Sequence, residues 1–247
     1  MKPAPFDYLA PETLEDALAL VGEDSRPLAG GQSLVPMLNF RLARPARLVD
    51  LERVAGLAYI EAGETLRIGA MTRHAALERS PVVAERWPLL VQAVKHVGHP
   101  QIRSRGTVGG SVAHADPKAE LPVALTALDA RFHVRSAHGA RTLTAPELFA
   151  GPLMTTLEPG ELLVEIEVPP LPAGARTAFV EHARTHGDFA IAGAAVVMAP
   201  GHESVALLGA GPTPVRAHHP DELARIEDPY RRALLTALVK RAIDRCA

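Results

Sequence analysis

Two pairs of adjacent glycines, Gly30-Gly31 and Gly109-Gly110, constrain this chain more than any other feature. Pro27-Leu28-Ala29 reads as a short strand running into Gly30-Gly31-Gln32-Ser33, and Thr107-Val108 runs into Gly109-Gly110-Ser111. Adjacent glycines lack Cβ and reach positive φ, so the backbone can turn sharply and bring its N–H groups close to an anion. Ser33, Thr107 and Ser111 add hydroxyl donors. A helix predicted to begin after Ser33 would aim its first N–H groups at the same anion. Two such loops suit the two phosphates of a dinucleotide held from opposite sides, although each loop alone also reads as a tight turn.

The common nucleotide signatures are missing. No G-x-G-x-x-G follows the first strand, and no G-x-x-x-x-G-K-[ST] occurs anywhere, which disfavours a Rossmann dehydrogenase and a P-loop ATPase. No G-x-S-x-G elbow supports a serine hydrolase. His114-Ala115-Asp116, with His96 and His99 upstream, invites a metal reading. Pro117 follows directly and no second ligand shares a helical face, so the segment reads as a loop bonding its own backbone, and no metal site is assigned. Arg103 and Arg105 read either as phosphate-neutralising cations or as a solvated face.

Composition narrows the classes further. The 247 residues are 47% hydrophobic, enough for one large domain or two modest ones, and Lys+Arg 26 against Asp+Glu 28 gives no electrostatic reason to bind nucleic acid. One cysteine, Cys246, excludes a disulfide within the chain and a cysteine-ligated cluster. The N-terminal residues lack a signal-peptide pattern, and no apolar run reaches the roughly 18–20 residues of a membrane span. The chain is expected to be soluble and cytoplasmic, with any redox chemistry supplied by an organic cofactor or a partner.

The hydrophobic pattern predicts helices over about 13–21, after Ser33 to Pro45, over about 82–97 with a break at Pro88, after Pro117, and over 230–243. Leu34, Met37, Leu38 and Leu42 form the predicted buried face of the second helix. Strands are predicted at Leu48–Leu51, Leu66–Gly69, Phe132–Val134, Leu162–Val168, Ala190–Met198 and Ser204–Leu208. Thr13 and Thr72 are expected helix caps. Residues 98–111 read as the most irregular stretch, and Pro169–Gly174 as the linker between two α+β domains.

Six segments in this order resemble the FAD-binding medium subunit of the molybdenum hydroxylases. That family includes carbon monoxide dehydrogenase, nicotine and caffeine dehydrogenases, and the flavin domain of xanthine dehydrogenase. The segments are Ala29–Pro36, Ile68–Thr72, Arg103–Ser111, His114–Pro117, Arg184–Ile191 and Gly209–Arg216. The resemblance implies an α+β fold of the PCMH (vanillyl-alcohol-oxidase) type over 1–172, in subdomains of about 1–55 and 56–172. A small C-terminal α+β domain would follow over 173–247.

By the same resemblance Leu28, Ala29, Gly30, Gly31, Gln32, Ser33 and Leu34, with Thr107, Val108, Gly109, Gly110 and Ser111, would grip the FAD pyrophosphate. Ala115 and Asp116 would form the adjoining turn. Glu120 stands where the family carries an acidic ribose ligand, usually Asp, and Leu163 and Phe189 match positions that pack on the isoalloxazine. From the residues alone Phe189 reads equally as core. Two departures stand out: Val180-Glu181-His182 replaces a segment that often carries Lys, and the region between Ala217 and Tyr230 is shorter than usual.

The function so implied is electron transfer. FAD would collect electrons from the [2Fe–2S] clusters of a small subunit, fed by a molybdopterin-binding large subunit. It would pass them to an external acceptor such as NAD, quinone or oxygen, and no side chain of this chain would act as a catalytic residue. Two alternatives stay open: a self-sufficient flavin oxidase or reductase of the same fold, and a non-enzymatic assembly protein that lost FAD.

Overall fold

The computed structural model describes residues 2–185, 187–217, 223–224 and 226–247. The first unit runs β1 (Asp7–Leu9), α1 (Leu14–Leu20), β2 (Ser25–Leu28), α2 (Leu34–Asn39) and β3 (Arg47–Asp50), with the strands parallel in the order β1-β3-β2. Thr13 caps α1 as expected, its Oγ1 accepting from Asp16 N at 3.1 Å. Ala17 and Leu18 of α1 are buried with Val49 and Leu51 beside β3.

The second helix is shorter than its apolar pattern predicts. Arg41 takes a left-handed φ of 57°, and Leu42 N donates back to Met37 O at 2.8 Å, a Schellman-type stop well before Pro45. Leu38 is buried, but Phe40 and Leu42 are 65% and 75% exposed.

The second unit contains β4 (Ile60–Ala62), β5 (Leu66–Gly69), α3 (His74–Arg79), α4 (Pro81–Arg86), α5 (Pro88–Val94), α6 (Pro100–Arg105), α7 (Val108–His114) and α8 (Glu120–Ala127). It continues with β6 (Arg131–Ser136), β7 (Gly139–Leu143), α9 (Ala145–Leu148), β8 (Phe149–Gly151), β9 (Met154–Thr155) and β10 (Leu162–Val168). Its main sheet is antiparallel in the order β4-β5-β10-β6-β7. The break at Pro88 falls between α4 and α5.

Two expectations fail here. The stretch read as irregular forms α6, with Pro100 at its first turn where no N–H is needed, and α7, capped by Thr107. Thr72 caps no helix: its hydroxyl donates to Tyr59 O and accepts from Tyr59 N, tying the approach to β4 onto the exit of β5.

The last unit is an antiparallel meander of β11 (Arg176–His182), β12 (Ala192–Ala199), β13 (His202–Leu208) and β14 (Val215–Ala217), backed by α10 (Pro229–Cys246). Alternation along the strands buries both faces. Ala178, Val180, Ala194 and Val196 turn toward Leu235, Leu238 and Val239 of α10. Phe179, Ala195, Val197 and Ala206 join the core of α5 and α8, which contains fully buried Leu89, Leu90, Leu121 and Leu125. Trp87 Nε1 donates to Pro169 O at 2.8 Å and holds the segment after β10 at its start. Part of the segment expected to be shortened, residues 218–222 and 225, lies outside the described residues.

Candidate functional site

The two glycine loops touch. A Cβ on Gly30 would overlap the carbonyl oxygen of Arg105 and lie 2.9 Å from Gly106 Cα; one on Gly110 would lie 3.4 Å from Ala29 Cβ. Leu28, half-buried at the end of β2, delivers Ala29 to this junction. Gly106 is fixed from behind by His74, whose backbone N–H donates to Gly106 O at 2.9 Å and whose Nε2 lies 2.8 Å from Thr107 O.

The loops differ in what they offer a ligand. Gly31 adopts φ +72°, a conformation that a side chain would strain. Among the described residues the backbone N–H groups of Gly30, Gly31, Gln32, Ser33 and Leu34 have no hydrogen-bond partner. The Gln32 side chain bonds back to Gly30 O at 2.9 Å and leaves those donors open. Five successive N–H groups without an internal partner lead into α2, the kind of donor that suits an anion.

The second loop corrects the sequence reading, because its N–H groups are already engaged. Val108 N donates to Thr72 O at 2.9 Å, Gly109 N to Ala70 O at 2.8 Å, and Ser111 N to Thr107 O at 3.0 Å. Gly110 N donates to the capping Thr107 Oγ1 at 3.1 Å. The glycines there serve packing: a Cβ on Gly109 would sit 2.7 Å from Ala70 O, and one on Gly110 2.7 Å from Thr107 Oγ1. An intact Gly109-Gly110 therefore does not by itself argue for phosphate binding. Half-buried Ser111 can still present its hydroxyl.

The other candidates separate in the same way. Arg103 is neither a phosphate ligand nor a solvated side chain: it is 8% exposed, holds Glu78 at 2.8 Å, and donates to Val97 O and Gly98 O. Arg105 is exposed, and its carbonyl accepts from the Arg73 guanidinium. The His114-Ala115-Asp116 turn bonds its own backbone as read: Ala115 has φ 51°, and Asp116 Oδ1 accepts from Lys118 N at 2.8 Å. Val108 and Leu163 are buried in the core, Leu163 beside a register shift in β10. Phe189 is 67% exposed, so the core reading fails and its ring is free to meet a ligand. His186, in the same loop, lies outside the described residues.

Glu120 opens α8 at 7% exposure. Burial, with the negative charges of Glu181 and Asp116, pushes its carboxyl up to about 8. His74, 4% exposed, is driven the other way, to about 4, mainly by burial. A cavity of about 520 Å³ lies elsewhere, lined by Tyr59, Arg67, His133, Arg135, Arg141 and Glu165. His133, Glu165 and Glu167 converge on that side, but Glu165 is already held by Arg67 at 2.6 Å and by the Tyr59 hydroxyl. Sequence reasoning passed over this cavity because its residues come from separate strands and carry no motif.

Residues 4–171 match the family model described as the FAD binding domain in molybdopterin dehydrogenase. The chain is 46% identical over 233 residues to the 6-hydroxypseudooxynicotine dehydrogenase complex subunit alpha of Paenarthrobacter nicotinovorans, covering 90% of this chain and 79% of that one. It is 42% identical over 225 residues to the carbon monoxide dehydrogenase medium chain of Hydrogenophaga pseudoflava, covering 87% and 78%. Among solved structures, carbon monoxide dehydrogenase from Hydrogenophaga pseudoflava superposes with a TM-score of 0.94 at 38% identity, over 100% of this chain and 98% of that one. Quinoline 2-oxidoreductase from Pseudomonas putida 86 gives 0.89 at 33% identity, over 100% and 98%.

Proposed function

From the premise that the chain belongs to the family of FAD-binding domains of molybdopterin dehydrogenases, we propose that it carries electrons out of a heteromeric hydroxylase. It is an FAD-binding medium subunit of molybdenum-hydroxylase type, an oxidoreductase component. In this reading a molybdopterin-binding large subunit oxidises the substrate, a small subunit with [2Fe–2S] clusters relays the electrons, and an external acceptor takes them from this chain in the cytoplasm. When bound, FAD supplies the step between single-electron donors and a two-electron acceptor.

The open backbone donors of Gly30–Leu34 carry the reading. They fit a pyrophosphate without any basic side chain, as a dinucleotide held by peptide dipoles requires. In this proposal Ser33 and Ser111 add hydroxyl donors. The 107–111 loop acts as a rigid wall, with Thr107 capping α7 and His74 bracing its carbonyl. Phe189, on the loop leaving β11, offers an apolar face to the ring, while Leu163 supports the floor from within the core. Asp116 and Glu120 line the ribose side. The residues bind, orient and exclude water.

The test is the visible spectrum of the purified chain, with the released cofactor identified by mass. A yellow protein releasing FAD is expected; a folded, colourless chain that takes up no added FAD overturns the reading. In the assembled complex, substrate should bleach the flavin band, and stripping FAD should leave the clusters reduced with no electrons reaching the acceptor.

A further inference from the structure

The short helix α6 touches the candidate site at both of its ends. At its C-terminal end the carbonyl oxygen of Arg105 and the Cα of Gly106 lie against Gly30. At its N-terminal end His99, the residue before Pro100, sets its ring against Gly187 in the loop that bears Phe189. A Cβ on Gly187 would come within 2.5 Å of His99 Cε1, and Gly187 holds φ +87°. Both loops meet the helix through a glycine, so neither interposes a side chain.

The loop carrying Phe189 is closed on itself at two points. Ile191 N donates to His182 O at 2.8 Å, and Asp188 N donates to Thr185 O at 3.1 Å. A displacement of His99 against Gly187 is therefore passed on to Phe189, two residues along.

A helix as short as Pro100–Arg105 does not hold its shape alone. What fixes it is Arg103, 8% exposed. Its Nε and Nη2 donate to the two carboxylate oxygens of Glu78 in α3 at 2.8 and 3.3 Å. Its Nη1 donates to Val97 O at 3.2 Å and to Gly98 O at 3.1 Å. One guanidinium thus ties the turn entering α6 to α3, and α3 also holds the far end, where His74 N donates to Gly106 O at 2.9 Å. The planar fork of arginine serves all four acceptors together, which a lysine ammonium cannot.

In the proposed site the Gly30–Leu34 donors take the pyrophosphate and Phe189 takes the isoalloxazine, so the two loops hold opposite halves of one ligand. The gain from holding two linked halves depends on the spacing of their subsites. We propose that Arg103 is a positioning residue for FAD: by clamping α6 to α3 it fixes the spacing between the pyrophosphate loop and the flavin loop. The inference rests on the FAD reading above. Arg103 acts through the helix, since its guanidinium is spent on Glu78 and the two carbonyls.

The experiment uses the full chain stripped of cofactor and measures calorimetric affinities for FAD and for its two halves, ADP and riboflavin. Arg103→Lys keeps a cation for Glu78 but cannot also hold Val97 O and Gly98 O. It should weaken FAD about tenfold, a part of the roughly 10²–10⁴ that linking two subsites can supply, and leave ADP and riboflavin each within about twofold of wild type. A merely structural role lowers all three affinities together, so an equal fall in all three overturns the proposal, as does unchanged FAD affinity. Gly187→Ala, which presses on His99 from the other side, should weaken FAD and riboflavin and leave ADP unchanged. An ADP loss equal to the riboflavin loss overturns the assignment of that end of α6 to the flavin. Should Arg103→Lys fail to fold, Glu78→Gln, which keeps an acceptor for the guanidinium, decides by the same comparison. A wild-type chain that binds no FAD overturns the cofactor reading itself, and that control separates the two failures.

Discussion

The backbone of Gly30 rests on the carbonyl oxygen of Arg105, so closely that any Cβ on Gly30 would occupy that oxygen's place. The same carbonyl accepts from Arg73, which also pairs with Glu52. Backbone contact thereby joins the loop after β2 to the end of α6. Gly30→Val should break this junction, cutting flavin content per chain to near zero and lowering stability by roughly 1–3 kcal/mol. Gly31→Ala meets the milder obstacle of a positive φ and should cost about 1 kcal/mol while distorting the open donors. Flavin absorbance per chain and urea midpoints read both variants; full flavin content in Gly31→Ala would remove the first loop from the site.

The second glycine pair should respond differently. Gly110→Ala presses on Thr107 Oγ1, the cap of α7, and Thr107→Ala removes the cap outright. Each should cost about 1 kcal/mol and weaken FAD only modestly, because the N–H groups of this loop are engaged internally. The measurement is FAD affinity set against thermal midpoint. Complete loss of flavin at unchanged stability in Gly110→Ala would mean that this loop contacts the phosphates directly.

Phe189 offers a cleaner separation of binding from folding. At 67% exposure its truncation removes little buried area, so Phe189→Ala should leave the thermal midpoint within about 0.5 kcal/mol of wild type. The flavin absorption maximum and potential should shift. A large fall in stability with an unmoved spectrum would return Phe189 to the structural role its sequence context equally allowed.

What could be read from residues alone was local. Thr13 with Asp16, the proline break before α5 and the apolar stripe of α10 each depend on neighbours a few positions away, and each is present; the half-buried alternation expected of Leu162–Val168 is not, because every residue there but Glu167 is buried. The failures are long-range. Whether Val108 and Gly109 have free donors depends on Ala70 and Thr72 carbonyls at the exit of β5. Whether Arg103 faces solvent depends on Glu78 in α3. Leu42 was counted in a buried face because periodicity cannot foresee a left-handed Arg41. Glu181 was visible as a departure from the family pattern, but its unpartnered oxygen is a property of packing.

Two buried titratable groups set opposite pH limits on stability. Glu120 has a folded value of about 8 against 4.5 for an ordinary carboxyl. The folded state therefore holds the proton more tightly than the unfolded chain, so this contribution is complete below pH 4.5 and is lost as pH rises toward 8. His74 has a folded value of about 4 against 6.5; its contribution is complete above pH 6.5 and is lost as pH falls through 4. Across each window the slope from one group is about 1.4 kcal/mol per pH unit. Between pH 4.5 and 6.5 the two slopes oppose each other, so the wild type should stay nearly level there and decline from 6.5 to 8, whereas Glu120→Gln should gain stability up to pH 6.5 and then hold level to 8. His74→Gln should soften the acid decline, while its own packing change lowers stability at neutral pH. Urea midpoints at pH 4, 5, 7 and 8 for the three chains test both limits. A Glu120→Gln profile parallel to wild type above pH 5 would show that this carboxyl titrates as an ordinary one.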